Sequence, residues 1–478
     1  MAKGMMASTE ARTQTQPRPI TRELASFASK LRYEKIPEEV RKRVLLLTLD
    51  QIGAALVAST LDYITRVREY ALEESPDGLS TVIGSQRKLR PEWAALSNAT
   101  AGHGVEIDDY HNIALAHPGC VAVPSVLAVA EQIDARGHET MVALALGFEA
   151  IIRFGLSVMP SMIKDRGFHE TCVMGVFGSA LGAGRLLRLD PETLASALGL
   201  AASHASGTTE YAQSGGEVKR LHAGLAAMGG LRALSLARRG FSGPPTILEG
   251  RRGVFQAFSD EYRADAMVEG LGNRWDFLTT AIKPYCCCGL IHSQIDALRA
   301  LMAEEGLRPD DVLEMIVGTD SLSLVHVNRI GARPTDMNSA QFSSHFSLAM
   351  ALVMGGNDFA HYVAAQSAGF RDPAVVGIAE KIRLELDPEA EAAFPEHFLA
   401  RVRVKRRDGS TIERTRYATG TPDAPLTEAE IRAKYRRMAG GIVGDATANA
   451  IERAIDALAD NAPARDVLRP LSAGTRRS

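Results

Sequence analysis

The residues of this chain that could do chemistry are concentrated in one short stretch, Gly102 to Gly119, which reads GHGVEIDDYHNIALAHPG. Carboxylates and imidazoles that lie side by side can bind a metal ion, carry out acid–base catalysis or form a buried polar network. The stretch holds three of each: Glu106, Asp108 and Asp109, and His103, His111 and His117. A sequence otherwise rich in alanine, leucine and glycine has no structural need for so many titratable groups. All three chemistries stay open at this point.

Three positions in this stretch are the first candidates for proton transfer. Glu106 and Asp109 are three residues apart, which places them on one face if the stretch is helical. Like-charged neighbours raise each other's pKa, so one carboxyl group could donate a proton and the other accept one. His117 stands in a His-Pro-Gly segment before a predicted helix, from which it can reach a cleft. Helix capping, pairing with arginine and an ordinary structural hydrogen bond are the alternatives.

Two further polar points lie along the chain. His169 belongs to the segment GFHET, inside a glycine-rich passage where small residues permit close packing or close approach of a ligand. Lys219 and His222 lie at the start of a predicted helix, where cations oppose the helix macrodipole. An anionic ligand would compensate for this placement, and so would pairing with Glu217 or another acid. Both alternatives stay open.

The segment from Lys283 to His292, KPYCCCGLIH, lies at a predicted domain junction, where clefts often bind ligands. Cys288 is either a nucleophile or a small packed side chain. The remaining cysteines are Cys120, Cys172, Cys286 and Cys287, without a Cys-x-x-Cys pair. This pattern favours reduced cysteines without a metal.

The overall charge excludes the classes of protein that bind their partners by bulk electrostatics. The net charge of −3 gives no general attraction to nucleic acid or to an anionic membrane. No uninterrupted apolar run is long enough to cross a bilayer. The first nineteen residues are polar, lack the apolar core of a signal peptide and are predicted to form a disordered tail. We therefore expect a cytoplasmic protein that binds neither nucleic acid nor membrane.

The first half of the chain carries helical patterns throughout. Thr21 is a predicted cap of the first helix, and Pro37 opens the second. Asp190 followed by Pro191 predicts another helix start, and the helix that begins near Lys219 is expected to end at Gly240. Because strands and helices do not alternate here, a Rossmann fold is unlikely and an all-helical core is expected.

Strand patterns begin after Lys283. They cover Glu314–Val327, Ile382–Leu386, Arg401–Lys405 and Thr411–Tyr417. Asp408-Gly409 predicts a hairpin between the last two, and QFSSHFSLAMALVMGG between the first two is predicted to be helical. A capping box from Thr427 to Glu430 restarts helix. The predicted fold is mainly α: a large all-helical domain with an inserted, smaller α+β lid domain that contains an antiparallel sheet.

The predicted domain boundaries follow from these patterns. They are a disordered tail over 1–19, a first helical segment over 20–275, the lid domain over 276–426, C-terminal helices that return to the helical domain over 427–465, and a tail over 466–478.

Taken together, several motifs in order resemble the MmgE/PrpD family, whose activities include 2-methylcitrate dehydratase, cis-aconitate decarboxylase and an epimerase. The motifs are EIDDYHN with AHPG, GFHETCVMGVFGSA, EVKRLHAGLAA, ARRGFSGPPTILEG, KPYCCCGLIHSQIDA and QFSSHFSLAMAL. The resemblance implies a helical domain plus an α+β lid, a homodimer, a site between the domains and no metal or organic cofactor. The site residues that it implies are Asp109, His117, His169 and Lys219, with His222, Lys283 and His292 nearby.

The sequence departs from the family pattern in two motifs. The family's DFDDT reads EIDDY, so Glu106 replaces one acid by another and Tyr110 replaces threonine. Where the resemblance implies a catalytic histidine in cis-aconitate decarboxylases, the nearest residue is Cys288. These positions are where we expect the substrate preference of this chain to be set.

Our hypothesis from the sequence is a cofactor-independent lyase, most simply a hydro-lyase, that acts on a small polycarboxylate. Lys219, with Lys283 or a nearby arginine, would bind substrate carboxylates and stabilise enolate-like charge. One of His117 and His169 would take a proton, and the other, or an acid of the Glu106 and Asp109 pair, would protonate the leaving hydroxyl group. Tyr110, His222, Cys288 and His292 would complete the substrate site. The alternatives are an epimerase with the same residues and a non-catalytic helical protein.

Overall fold

The computed structural model describes residues 18–473, and most of these residues are helical, as the sequence predicts. The helices of the first half are α1 (Ile20–Lys30), α2 (Glu38–Ala58), α3 (Asp62–Glu74), α4 (Pro91–Gly102), α5 (Gly119–Gln132), α6 (Gly137–Val158), α7 (Ser161–Lys164), α8 (Glu170–Leu186), α9 (Pro191–Ala201), α10 (Tyr211–Ser214), α11 (Val218–Ala237) and α12 (Val254–Phe258). Those of the second half are α13 (His292–Glu305), α14 (Ser321–His326), α15 (Met337–Gln341), α16 (Ser344–Met354), α17 (Phe359–Ser367), α18 (Pro373–Ala379), α19 (Pro388–Ala393), α20 (Glu428–Val443), α21 (Asp445–Asp456) and α22 (Arg465–Leu468). The strands are β1 (Asp77–Ser80), β2 (Val312–Thr319), β3 (Ile382–Leu386), β4 (Leu399–Arg406) and β5 (Thr411–Tyr417).

Helix α8 is the centre of the helical core, where it packs against α5, α6, α9 and α11. Small residues permit this close packing. A Cβ atom on Gly182 of α8 would lie 2.7 Å from the backbone oxygen of Ala143 in α6. Helix α6 is long and apolar enough to cross a membrane, but almost all of its apolar segment is buried inside the protein, as in the core helix of a globular domain.

Local capping signals predict several helix starts correctly. The side chain of Asp190 accepts hydrogen bonds from the first turn of α9, and Thr427 forms the predicted capping box with Glu430 at the start of α20. The predicted role of Thr21 is wrong, because α1 begins at Ile20 and the Thr21 hydroxyl donates a hydrogen bond to Glu249 over 2.6 Å. Helix α11 ends at Ala237, three residues before the predicted end.

The sheet has the order β3-β2-β4-β5. Strands β4 and β5 form the predicted antiparallel hairpin, and β2 pairs antiparallel with β4. The prediction of an antiparallel sheet is wrong at one edge, because β3 runs parallel to β2. Helices α14 to α18 lie between these two strands in the chain, and such a crossover permits a parallel pair. Helix α13 packs on β4 and β5.

The predicted strand Glu314–Val327 is a strand only in its first half. Strand β2 ends at Thr319, and Asp320 then caps α14 by accepting a hydrogen bond from the Ser323 backbone over 2.9 Å. The cap overrides the β-branched character of the residues that follow.

The C-terminal helices pack on the first half of the chain: α20 lies against α2, and α22 against α5. Residues 466–473, which the sequence assigns to a tail, form helical turns. Residues 1–17 and 474–478, the rest of the predicted tails, lie outside the described residues. The domain boundaries themselves stay a prediction.

The close packing of α6 and α8 predicts that Gly182→Ala destabilises the fold by about 1–3 kcal/mol, because the atom that an added methyl group meets is rigid backbone. The matched control is Gly441→Ala in α20, where nothing lies within 4 Å of an added Cβ atom. The control should gain up to about 1 kcal/mol from reduced backbone freedom. Urea denaturation measures both, and a Gly182→Ala protein as stable as the control would contradict the close contact.

Candidate active site

The acidic stretch is a loop, residues 103–118, between α4 and α5, so the prediction that Glu106 and Asp109 share a helix face is wrong. Two side chains from the second half of the chain hold this loop in place. Lys434 of α20 donates a hydrogen bond to the Ile107 carbonyl over 2.8 Å, and the Gln341 side chain donates one to the Val105 carbonyl, also over 2.8 Å. The loop is therefore positioned by residues that are distant in sequence.

Glu106 lies at the centre of the site and binds three cations. Its Oε1 accepts hydrogen bonds from Lys219 and Arg220, which are in the first turn of α11, and its Oε2 accepts one from Lys283 over 3.2 Å. All four side chains are buried. Glu106 therefore compensates the cations at the start of α11 from within the protein. Glu217 instead pairs with Arg66.

The backbone of Glu106 has φ of 54°, in the left-handed region that residues with a side chain rarely adopt. This conformation costs about 1–2 kcal/mol, which the surrounding contacts must offset. Such local strain is common where a side chain has to be aimed at a functional site.

The ion cluster shifts the pKa values of its members in different directions. Burial alone would raise the pKa of Glu106, but Lys219, Lys283 and Arg220 together lower it well below its usual value. Burial lowers the pKa of Lys219 despite the attraction of Glu106, whereas the pKa of Lys283 is raised, because Glu106 and Asp108 outweigh its burial. Glu106 is therefore a carboxylate at neutral pH, and it cannot be the proton donor that the sequence suggested.

His117 has one defined tautomer. Its Nδ1 lies 2.7 Å from the carbonyl oxygen of Asp109 and 3.2 Å from Oδ2 of Asp108. Because a carbonyl oxygen can only accept, Nδ1 carries the hydrogen and Nε2 keeps its lone pair. Burial lowers the pKa of His117, against the opposing effect of Asp108. His117 is thus a neutral imidazole that can accept a proton.

Asp108 connects His117 to a second imidazole, because its Oδ2 also lies 2.6 Å from Nδ1 of His103. Burial alone would raise the pKa of Asp108, but His117, His103 and Lys283 together lower it well below its usual value. Asp108 is therefore the second carboxylate of the cluster.

Asp109 supports the site from behind. Its carboxylate oxygens accept a hydrogen bond from the Gly119 backbone at the start of α5, over 3.0 and 3.1 Å. A Cβ atom on Gly119 would lie only 2.6 Å from that carboxyl group, so a larger residue here would displace the Asp109 side chain. Burial and the nearby Asp108 raise the pKa of Asp109 well above its usual value.

A cavity of about 120 Å³ lies beside the ion cluster. The residues predicted from the sequence that line it are Glu106, Tyr110, His117, Lys219, Lys283 and Cys288. Much of the remaining wall is apolar: Leu115, Ile163, Leu290, Leu322, Phe342 and Phe398. A larger groove, of about 1140 Å³, adjoins this cavity and shares Tyr211, Ala212, His326 and Phe342 with its lining.

Four predicted residues do not line the cavity: Asp109, His169, His222 and His292. His169 and His222 contact each other through their Nδ1 atoms over 2.9 Å, so one of these atoms donates and the other accepts. Burial lowers the pKa of His222 to about 4 and that of His169 further below its usual value, so both are neutral. His292 donates from Nε2 to the Cys287 carbonyl over 3.2 Å.

Tyr110 presents an unused polar group to the cavity. Its hydroxyl is buried without a hydrogen-bond partner among the described residues, while its ring stacks on Phe398. A buried donor of this kind is costly unless a ligand binds it. Cys288 also lines the cavity, but burial raises the pKa of its thiol, which opposes a role as nucleophile.

The cavity contains one acid that the sequence reasoning missed. Glu170, the first residue of α8, lines the cavity next to His169, although its side chain is only 8% exposed. Burial raises its pKa to about 8. The sequence signal that could have identified Glu170 is its position directly after His169, the one residue of this motif that was predicted to lie in the site. The sequence allowed for an arginine near Lys219, and Arg220 is the one that contacts Glu106.

Among residues 18–473, one group of side chains is arranged closely enough to hold a metal ion. The ligand atoms of His103, Asp108 and His117 lie within 4.8 Å of one another. The short hydrogen bond from His103 to Asp108 already satisfies two of these groups, and the hydrogen on Nδ1 of His117 is directed at a carbonyl oxygen. The expectation of a site without a metal stays a prediction.

Comparison with known proteins agrees with the motifs in the sequence. The model of the MmgE/PrpD N-terminal domain matches residues 22–266, and that of the MmgE/PrpD C-terminal domain matches residues 285–460. A cis-aconitate decarboxylase of Aspergillus terreus is 30% identical over 94% of this chain and 96% of its own length. The cis-aconitate decarboxylase-like protein oryM of Aspergillus oryzae is 28% identical, over 95% and 97%. The human cis-aconitate decarboxylase is 26% identical over 92% of each chain.

The ion cluster predicts that Glu106→Gln destabilises the protein by about 3–5 kcal/mol, because three buried cations lose their common anion. The matched control is Glu217→Gln, which removes an exposed carboxylate at the same helix start and should cost less than about 0.5 kcal/mol. Equal unfolding free energies for the two variants would contradict the central role of Glu106.

The same cluster predicts how this difference depends on pH. Because the pKa of Glu106 is lower in the folded protein than its usual value of 4.5, its contribution is fully present above about pH 4.5 and is lost as the pH falls further. The stability gap between the wild type and Glu106→Gln should therefore shrink in denaturation experiments below about pH 4.5.

Proposed function

Because this chain belongs to the MmgE/PrpD family, we propose that it is a cofactor-independent lyase that removes water from a small hydroxy-tricarboxylate of the 2-methylcitrate type. The observation that carries this proposal is the tautomer of His117. Its hydrogen is committed to the Asp109 carbonyl over 2.7 Å, so the free lone pair on Nε2 is available to a substrate in the cavity. A dehydratase needs such a base.

The charge of the site supports an anionic substrate. Lys219, Arg220 and Lys283 face only two carboxylates held ionised, those of Glu106 and Asp108, which leaves one positive charge in excess. A carboxylate of the substrate would balance it. Lys219 and Lys283 both line the cavity, where their charge would also stabilise the enolate-like electron density that forms when a carbon next to a carboxylate loses its proton.

The reaction would then proceed in two linked proton transfers. His117 takes the proton from the carbon next to a substrate carboxylate, and the electron pair left on that carbon is stabilised by the two lysines. The pair then forms the carbon–carbon double bond as the hydroxyl group leaves with a proton from an acid. Both Asp109 and His169 lie behind the cavity wall, so neither contacts the substrate in this arrangement.

A second candidate is decarboxylation of an unsaturated tricarboxylate, and two observations favour it. Relatives that match nearly the full length of the chain are named cis-aconitate decarboxylases. The apolar part of the cavity wall, with Leu115, Leu322 and Phe342, would also weaken the hydration of a carboxylate, which promotes loss of carbon dioxide. Cys288 stands where the family resemblance implies a catalytic histidine in cis-aconitate decarboxylases. This difference is why we place dehydration before decarboxylation as the proposed activity.

The test is proton NMR of the purified protein in D₂O with citrate, 2-methylcitrate and cis-aconitate. Water loss from a hydroxy acid supports the proposal, and loss of carbon dioxide from cis-aconitate supports the second candidate. Deuterium incorporation without either product would instead identify an epimerase. Absence of every reaction, together with no thermal shift by these compounds, would indicate a non-catalytic protein. EDTA should leave the rate unchanged if no metal takes part.

We expect His117→Asn to lower turnover about 100-fold or more, because the asparagine amide can replace the Nδ1 donor but not the lone pair on Nε2. The control is His397→Ala, whose imidazole is half-exposed and pairs with Asp423 outside the cavity. Turnover of His117→Asn close to the wild-type value, in a folded protein, would remove His117 from the mechanism.

A further inference from the structure

The proposed lyase needs a proton donor for the leaving group, and the cavity contains one acid with an unused oxygen. Glu170 lines the cavity, and its Oε2 is buried without a hydrogen-bond partner among the described residues. Its Oε1 lies 3.7 Å from Nε2 of His169. A carboxylate with an unsatisfied buried oxygen would be costly, whereas a neutral carboxyl group has a hydrogen to give to a ligand.

The groups around Glu170 come from several elements. His169 precedes it in the chain, Tyr211 of α10 and Lys219 of α11 line the same cavity, and Glu106 belongs to the loop before α5. Lys219 and the backbone favour the carboxylate form of Glu170, while Glu106 opposes it. Burial is the largest effect and raises the pKa of Glu170 to about 8, so the group is mostly protonated at neutral pH.

The other acids near the cavity cannot supply this proton. Lys219, Lys283 and Arg220 keep Glu106 ionised. Asp109 does not line the cavity. Burial raises the pKa of Tyr211 well above its usual value, and it also raises the pKa values of the Tyr110 hydroxyl and the Cys288 thiol, so all three are poor donors. Glu170 is left as a neutral acid on the wall that His117 also lines.

We propose that Glu170 is the proton donor of the site and protonates the leaving hydroxyl group while His117 takes the carbon-bound proton. The inference rests on the proposed lyase function. The C–H bond breaks toward His117, the C–O bond breaks with its electron pair on oxygen, and that oxygen takes the Glu170 proton to leave as water. When the product has left, His117 releases its proton to solvent and Glu170 regains one. In a decarboxylation, the same proton would go to carbon.

His169 is a positioning residue in this arrangement. It is fully buried, stands between Glu170 and His222, and shares one hydrogen with His222 through their Nδ1 atoms. The tautomer of this pair decides whether Nε2 of His169, which lies 3.7 Å from Oε1 of Glu170, carries a hydrogen or a lone pair. The pair can therefore change the local polarity beside Glu170 without a direct hydrogen bond to it.

The first test compares Glu170→Gln with Glu192→Gln, an exposed acid in the first turn of α9. Glu170→Gln should lose about 100-fold or more in turnover on the hydroxy acid, and the control should keep wild-type activity. The wild-type kcat should fall about tenfold per pH unit above about pH 8, and this decline should be absent from the residual activity of Glu170→Gln. A Glu170→Gln protein with wild-type turnover and the same decline would overturn the assignment.

The identity of the leaving group gives a sharper comparison. With a substrate that carries chloride in place of the hydroxyl group, departure needs no proton, so the difference between wild type and Glu170→Gln should shrink to less than about tenfold. A loss that stays near 100-fold with chloride would show that Glu170 acts elsewhere than on the leaving group.

A measurement without substrate separates this proposal from the lyase function. Because the pKa of Glu170 is raised from 4.5 to about 8 on folding, the wild type should lose stability as the pH rises between these values, and Glu170→Gln should not. The Tm of Glu170→Gln relative to wild type should therefore rise from pH 5.5 to pH 8.5. A constant difference would mean that Glu170 is ionised at neutral pH and would overturn the proposal, even for an active lyase. If the Tm difference changes as expected but no carboxylate is turned over, only the lyase function fails.

Discussion

The structure depends on the buried contact between Glu106 and three cations. It joins the loop 103–118, the first turn of α11 and the segment before α13, which lie far apart in the sequence. Burying Lys219, Arg220 and Lys283 without an anion would cost several kcal/mol for each, and so would burying Glu106 alone. The left-handed backbone of Glu106 shows that the loop is bent to reach them. The ion cluster therefore positions the residues of the site and, through the same contacts, holds together distant parts of the chain.

The sequence predicted which residues lie in this site better than it predicted their contacts and charge states. Six of its ten site residues line one cavity, and the motifs that identified the family also located α8, α11 and the loop. What it could not show was which partner compensates Lys219, because that partner lies more than a hundred residues away. Glu170 was missed for the same reason: its neutral state comes from burial by elements that are distant in sequence, and a glutamate in a helix's first turn is by itself unremarkable.

The fold was predicted where the signal is local and missed where it is not. The caps at Asp190 and Thr427 and the hairpin at Asp408-Gly409 are decided by neighbouring residues, and all three are present. The direction of β3 is decided by the crossover through α14 to α18, and the residues of β3 carry no information about it. The predicted strand beyond Thr319 is wrong because the cap at Asp320 outweighs the two β-branched side chains that follow, Val325 and Val327.

Three carboxyl groups in and behind the cavity show how the same chemical group can take different protonation states and roles. Glu106 is ionised because three cations surround it. Asp109 accepts backbone hydrogen bonds beneath the wall and fixes the carbonyl that orients His117. Glu170 forms no ion pair with a lysine or arginine among residues 18–473, and burial raises its pKa to about 8, so it is mostly protonated at neutral pH. When the protein shifts the pKa values of two groups away from their usual values in opposite directions, one group can act as the acid and the other as the base at neutral pH. In the proposed mechanism the base is His117, the imidazole with the lowered pKa, and the acid is Glu170, the carboxyl group with the raised pKa, so both proton transfers are prepared before a substrate binds.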